Sequence, residues 1–179
     1  ISGDTGTWFK REDGSLFLLL CDGMGSGPAA HRESSEAVRL LEEFLQAQVP
    51  PEEALRTLSG ALALRGEEAG GFTTIDLLQL DLFTGRGAVY KYGAAPTYFK
   101  KGNTVTRITG TALPAGLAPG DRSAPDVSRF HLEAGDCVLM VSDGVAGGEG
   151  DAWIREKFRS FQDASPKELS RVLVEESRR

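Results

Sequence analysis

The chain has 179 residues, a hydrophobic fraction of 40% and a formal net charge of −6 at pH 7. This size and composition predict one globular domain over residues 1–179, with no internal boundary. Its basic residues are scattered singly, which argues against a nucleic-acid partner. Its apolar runs are shorter than the roughly 20 residues that a membrane-spanning helix needs, so we expect no membrane contact by this segment.

The ends of the chain and its two cysteines indicate its context. The sequence begins at Ile1 without an initiator methionine, and we expect it to be a fragment of a longer protein. No basic-then-apolar export signal stands near its start. Cys21 and Cys137 lie in apolar, strand-like sequence, which predicts small buried thiols in a reducing compartment. A disulfide between them is the alternative.

The first part of the chain predicts a hairpin followed by two helices. Residues 5–11 and 15–21 are β-prone, and the Asp-Gly turn signal in Glu12-Asp13-Gly14 joins them. Apolar residues then recur with a period near 3.6, which predicts helices over 29–47 and 51–65.

The rest of the chain is rich in short β-prone runs. Predicted strands follow in order at residues 72–82, 87–92, 97–100, 104–108, 127–132 and 136–142. A glycine-rich link after Asp143-Gly144 precedes predicted helices at 152–161 and 166–178. This order favours helices packed on sheets over a parallel βαβ fold. We expect an α+β fold, an α/β/β/α-type sandwich of two mainly antiparallel sheets flanked by helices.

Three aspartates share one kind of sequence context. Asp4 follows a glycine at the entry to the first strand, whereas Asp22 and Asp143 each follow an apolar run and precede a glycine. If the two strands that end at Asp22 and Asp143 lie together, their carboxylates converge at one edge and must share protons or bind a cation. Oxygen-only ligands suit Mg²⁺ or Mn²⁺. An ordinary turn is the alternative at each Asp-Gly.

An ordered set of motifs carries a resemblance to a known family. The set comprises Ser2-Gly3-Asp4, the run from Asp22 to Gly27, Gly93-Ala94-Ala95-Pro96, Leu113-Pro114-Ala115-Gly116-Leu117 and Ser142-Asp143-Gly144. In this order the motifs resemble the bacterial branch of the metal-dependent protein phosphatase 2C superfamily. Within that branch the sequence is most similar to the C-terminal domain of the stage II sporulation protein E family.

The resemblance implies a metal-dependent phosphoserine/phosphothreonine phosphatase with two Mn²⁺ or Mg²⁺ ions. Asp22 would bridge the ions, the Gly23 carbonyl would bind the second, and Asp143 would be a terminal ligand of the first. Asp4 resembles the acidic residue that contacts metal-bound water. The ions would activate a water molecule for in-line attack on phosphorus, without a covalent enzyme intermediate.

The resemblance also implies a partner and a cellular setting. The substrate would be a phosphorylated anti-sigma-factor antagonist, whose dephosphorylation controls sporulation sigma-factor activation. The domain would be cytoplasmic, or on the cytoplasmic side of the membrane if the parent protein is anchored there. A homodimer is left open.

One departure from the family pattern leaves an alternative function. The family closes with a strand that carries an acidic pair, but this chain ends before such a motif, and neither Asp151 nor Asp163 sits in its context. We therefore expect the terminal strand to be absent and one metal site to be weak. The alternative is a non-catalytic regulatory or docking domain, in which the helices 29–47 and 51–65 shift and move Gly23.

Four further features have a structural interpretation, and three of them also have a functional alternative. His31 is interpreted as an exposed helix residue or as an aid in protonating the leaving group. His131 alternates with apolar strand residues and is interpreted as structural. Thr73-Thr74 are strand hydroxyls or polar groups near the metal site. Gly25-Ser26-Gly27 is interpreted as the tight turn that presents Asp22 rather than as a nucleotide loop, since no phosphate-loop motif accompanies it.

Overall fold

The computed structural model describes residues 2–65, 71–117, 124–147, 150–162 and 165–178. Within these residues the strands are β1 (Asp4–Lys10), β2 (Ser15–Gly23), β3 (Thr73–Asp81), β4 (Arg86–Tyr92), β5 (Thr97–Lys101), β6 (Thr104–Ile108), β7 (Asp126–His131) and β8 (Cys137–Met140). The helices are α1 (Pro28–Gln46), α2 (Pro51–Arg65), α3 (Asp143–Ala146), α4 (Ala152–Ser160) and α5 (Pro166–Ser177). The chain divides into a first unit, Ile1–Ala94 with Gly110–His131, and a second unit, Ala95–Thr109 with Leu132–Arg179.

The first unit is built on an antiparallel sheet in the order β1-β2-β3-β4-β7. Successive side chains of a strand point to opposite faces, and the alternate residues Phe17, Leu19 and Cys21 of β2 belong to the buried core. The core also contains Leu41 and Leu45 of α1, both fully buried. Burying one such leucine stabilises the fold by about 1.5–3 kcal/mol, so this stripe holds α1 on the sheet.

The helices of the first unit begin and end where their sequence predicts. Pro28 occupies the first turn of α1, where a missing backbone N–H costs nothing. Glu52 and Glu53 lie in the first turn of α2 and Arg65 in its last, which complements the helix dipole. A membrane-spanning length of apolar helix is not found among the described residues.

The second unit combines a smaller sheet, in the order β6-β5-β8, with α3, α4 and α5. Its core contains Tyr98 of β5, Ile154 and Phe158 of α4, and Leu169 and Leu173 of α5. Ser165 caps α5 by accepting a hydrogen bond from the Glu168 N–H, as the Ser-Pro start predicts.

The predicted α+β class with two antiparallel sheets is confirmed, and element bounds agree within about two residues. One local prediction is wrong. The sequence predicts a glycine-rich link directly after Asp143-Gly144, but residues 143–146 form α3, because the Val145 and Ala146 N–H groups bond back to the Ser142 carbonyl. The strands β7 and β8 follow one another in the chain but lie in different sheets, since β7 pairs with β4 and β8 with β5. The single-domain organisation and the missing terminal strand stay predictions.

The two cysteines differ in burial. Cys21 is fully buried, as predicted, and Cys137 is exposed, which contradicts the prediction for that residue. Cys137 is the first residue of β8, close after the turn at Ala134-Gly135, and its side chain is exposed there. Both thiols are free, and the alternative of a disulfide is wrong.

Candidate metal centre

Asp4 and Asp22 lie side by side at one end of the first unit's sheet. They are Cα partners in the antiparallel pairing of β1 with β2, so their side chains share a face. Both are half-buried. The Gly23 N–H donates to the Gly3 carbonyl over 3.2 Å, and a Cβ at Gly3 would lie 3.0 Å from Oδ1 of Asp22. The missing side chain at Gly3 therefore leaves room for the Asp22 carboxylate.

Gly23 is the point at which α1 rests on β2. A Cβ at this position would lie 2.1 Å from the carbonyl oxygen of Ala30, well inside van der Waals contact. Glycine is required here by close packing rather than by backbone angle. Gly25 and Gly27 differ, since they have φ values of 84° and 92° and open space around them. These two glycines make the turn between β2 and α1, in line with the turn interpretation.

Thr73 holds the backbone of Asp22 from the neighbouring strand. Its hydroxyl donates toward the Asp22 carbonyl over 2.8 Å, and it is 2% exposed. The backbone of Thr73 is fixed in turn by paired hydrogen bonds with Ala115, at 3.1 and 2.9 Å. The interpretation of Thr73 as a polar group beside the predicted site thus agrees with its position.

A buried ion pair on the same sheet was not among the residues predicted from the sequence. Lys91 Nζ lies 2.8 Å from Oδ2 of Asp76, and both side chains are 1% exposed. Burial lowers the pKa of Lys91, and the charge of Asp76 opposes this shift. The sequence does contain a signal for this burial, since Lys91 stands between two tyrosines in an otherwise apolar strand. A charged residue in such a position is a candidate for a buried, paired side chain.

Asp143 is the first residue of α3, after β8 has ended at Met140. It is exposed and belongs to the second unit, whereas Asp4, Asp22 and Gly23 belong to the first. The structure brings Asp4 and Asp22 together within the first unit, whereas the predicted convergence of Asp22 with Asp143 stays a prediction. The role of Asp143 as a further ligand stays a prediction.

Asp151 has a structural environment within the second unit. Its carboxylate accepts the Tyr98 hydroxyl over 2.8 Å and contacts Arg107 and Arg155 at 2.9 and 3.2 Å. It is 11% exposed and ties the start of α4 to β5 and β6. The other acidic residue considered, Asp163, lies outside the described residues.

The two histidines differ in their surroundings. His31 is exposed in the first turn of α1, where its backbone N–H donates to the Gly27 carbonyl over 3.1 Å. His131 ends β7, and its Nε2 lies 3.0 Å from the Thr84 carbonyl oxygen. Both positions agree with the structural interpretations.

Comparison with known proteins identifies the family of this chain. A sequence profile described as Stage II sporulation protein E (SpoIIE) matches residues 12–179. The chain belongs to the SpoIIE family. Stage II sporulation protein E of Priestia megaterium is 32% identical over 181 residues, which cover 98% of this chain and 30% of that protein. The chain thus spans less than a third of this curated relative.

Solved structures agree with this family and with the fold. The PP2C phosphatase domain of SpoIIE from Bacillus subtilis, solved with a fragment of its regulatory domain, is 30% identical with a TM-score of 0.89. The match covers 99% of this chain and 52% of that one. The structure of RsbX in complex with magnesium is 19% identical to this chain, with a TM-score of 0.75. The match covers 97% of this chain and 79% of that one, and at this identity it shows the fold alone. The resemblance to PP2C-type serine/threonine phosphatases, a family of hydrolases, is confirmed.

Proposed function

We propose that this chain is a Mn²⁺- or Mg²⁺-dependent protein serine/threonine phosphatase domain that works with two ions. The observation that carries the proposal is the pairing of Asp4 with Asp22 beside Gly23 at one end of the sheet. Two carboxylates on neighbouring strands repel each other unless a cation or a proton lies between them. Membership of the SpoIIE family supports the cation.

The residues present fit a hard divalent cation. The donors are carboxylate and backbone carbonyl oxygens, which Mg²⁺ and Mn²⁺ prefer. The absence of a side chain at Gly3 leaves room for the Asp22 carboxylate, and its absence at Gly23 lets α1 approach the backbone of β2. Asp22, the Gly23 carbonyl and Asp143 would hold the ions, and Asp4 would act through bound water. When bound, the ions would supply an acidified water and neutralise phosphate charge.

The protein's own groups would position these ligands. The hydrogen bond from Thr73 fixes the Asp22 carbonyl and therefore the position of the backbone near the end of β2. Gly23 is clamped between the Gly3 carbonyl and α1, so its own carbonyl is held in place. Rigid placement of this kind is what positional and electrostatic catalysis require.

The substrate would be a phosphoserine or phosphothreonine on a regulatory protein of the anti-sigma-factor-antagonist type. The support is family membership, since sporulation protein E is the family's name. We also propose a cytoplasmic location for the domain, where such a phosphoprotein would reach it.

Phosphate release tests the proposal. The purified protein should release phosphate from p-nitrophenyl phosphate and from a phosphorylated antagonist when Mn²⁺ is added. Asp22→Asn removes a ligand charge and should nearly abolish release with the fold intact. Glu43→Gln, an exposed carboxylate on α1 that pairs with Arg39, is the matched control and should keep wild-type activity.

Two results would overturn the proposal. No phosphate release from either substrate at any Mn²⁺ or Mg²⁺ concentration would reject catalysis by the purified protein. Negligible Mn²⁺ binding in isothermal titration, together with retained binding of the phosphoprotein, would support the alternative of a regulatory or docking domain.

A further inference from the structure

The buried pair of Asp76 and Lys91 needs an explanation beyond stability. Taking two charges out of water costs about as much as their attraction returns, and apolar replacements of buried pairs are often neutral or stabilising. This pair is 1% exposed on both sides, with its Nζ and Oδ2 atoms 2.8 Å apart. Its position relative to the proposed metal centre offers the explanation.

The register of the sheet places the pair next to Asp22. Thr74 of β3 is the Cα partner of Asp22, and Asp76 follows two residues along the same strand. Residues two apart in a strand share a face, so Asp76 lies on the face that carries Asp22. Diagonal neighbours of this type are roughly 7–8 Å apart.

Lys91 lies one strand further from Asp22. It is the Cα partner of Asp76 across β3 and β4 and also the partner of Asp126 across β4 and β7. The Asp126 carboxylate is engaged with the backbone N–H groups of Thr111 and Ala112, at 2.7 and 2.6 Å. By Cα position, Asp76 therefore stands on β3, the strand that pairs with β2, and Lys91 stands one strand farther from Asp22.

We propose that Asp76 and Lys91 are positioning residues that set the electrostatic potential at Asp22 and so tune its affinity for the divalent ion. The inference rests on the proposed metal-dependent phosphatase. Lys91 cancels most of the field of Asp76, while the shorter path from Asp76 to Asp22 leaves a net negative contribution that favours a cation. At an effective dielectric constant of about 20, a persistent unit charge roughly 7–8 Å from a divalent ion changes its affinity by on the order of a thousandfold. A lone buried charge partly neutralises by shifting its pKa, so we expect a change of roughly tenfold or more in single variants.

Mn²⁺ titration of the purified protein tests the inference. Asp76→Asn leaves the positive charge of Lys91 alone and should raise the Mn²⁺ Kd by on the order of tenfold. Lys91→Met leaves the negative charge of Asp76 alone and should lower it. If the pair had only a structural role, the two single variants would not shift the Mn²⁺ Kd in opposite directions. The double variant Asp76→Asn/Lys91→Met should return to within a few fold of the wild-type Kd, and a metal-affinity effect should appear in the Mn²⁺ dependence of kcat rather than in KM.

A charge-swapped variant covers the case in which single variants fail to fold. Asp76→Lys/Lys91→Asp keeps the pair but moves the basic residue to β3, the strand that pairs with β2, so the Mn²⁺ Kd should rise severalfold while urea unfolding shows a folded protein. An unchanged Kd in the swapped and double variants, or a shift of both single variants in the same direction, would overturn the inference. Absence of Mn²⁺ binding by the wild-type protein would instead count against the proposed function.

Discussion

The hydroxyl of Thr73 donates to the backbone carbonyl of Asp22 over 2.8 Å, between residues 51 positions apart in the chain. This bond ties the last residues of β2 to the first residue of β3. It fixes the carbonyl of the aspartate whose side chain lies in the proposed metal centre. The end of β2 is therefore held by a neighbouring strand as well as by its own ladder.

Replacing Thr73 by valine should weaken both the fold and the metal centre. Valine keeps the shape but leaves a buried carbonyl without its hydroxyl donor, which costs about 1–3 kcal/mol in the free energy of unfolding. Urea unfolding and Mn²⁺ titration measure the two effects. Thr73→Ser retains the hydroxyl and should preserve Mn²⁺ affinity; equal affinity in the valine and serine variants would argue against this role.

Alanine at Gly23 should be much less tolerated than alanine at Gly25. The added methyl at Gly23 would lie 2.1 Å from the Ala30 carbonyl oxygen and must push α1 away. We expect a loss of about 1–3 kcal/mol or more from this overpacking. Gly25 has open space, so Gly25→Ala carries only the left-handed backbone penalty of about 1–2 kcal/mol.

Thermal unfolding of both variants checks the order. The melting temperature of Gly23→Ala should be the lower of the two, and its phosphatase activity should also fall. Equal melting temperatures would mean that α1 does not rest on Gly23.

Substitutions at two acidic residues of the second unit should affect different properties, one the phosphatase activity and the other the free energy of unfolding. Asp143→Asn should sharply lower phosphate release without changing the unfolding midpoint, because Asp143 is exposed at the start of α3. Asp151→Asn should lower the free energy of unfolding by about 1.5–3 kcal/mol, because its partners Tyr98, Arg107 and Arg155 lose a charged acceptor. Activity assays beside urea unfolding test both; an Asp143→Asn protein of full activity would remove it from the site.

Alkaline pH should destabilise the second unit through Tyr98. Burial, with a contribution from Asp151, raises the pKa of Tyr98 to about 12 from an ordinary 10.0. The folded state therefore retains the proton longer than the unfolded state does. The stability from this group is complete below pH 10 and is lost as the pH rises to about 12. Urea unfolding across this interval should show a shallower decline for Tyr98→Phe than for the wild type, and parallel declines would exclude Tyr98 as the source.

The two thiols should react with Ellman's reagent at very different rates. Cys137 is exposed and should react at once in the native protein, whereas Cys21 is fully buried and its pKa is raised. One thiol should therefore be counted under native conditions and two in denaturant. Cys137→Ser should remove the fast phase, and a fast phase that persists in this variant would show that Cys21 is accessible.

Much of the fold was predictable because local signals agree with the final structure. Alternation of apolar residues, the Asp-Gly turn and the proline starts of α1 and α5 predict elements whose bounds the structure reproduces closely. The signals failed where a choice depends on distant residues. The link after Asp143 became a short helix, and Cys137 proved exposed, since neither outcome is encoded by hydrophobic pattern alone.

For the proposed site, the sequence by itself determined which groups are available as ligands: aspartates followed by glycines at the ends of apolar runs offer oxygen donors. Only the tertiary structure decided that Asp4 is the register partner of Asp22 and that the Thr73 hydroxyl binds the Asp22 carbonyl. It also decided that Asp76 and Lys91 form a buried ion pair on the same sheet. Strand register is set by contacts between residues far apart in the chain. A linear pattern therefore identifies the chemical groups, and the folded sheet determines which of them meet.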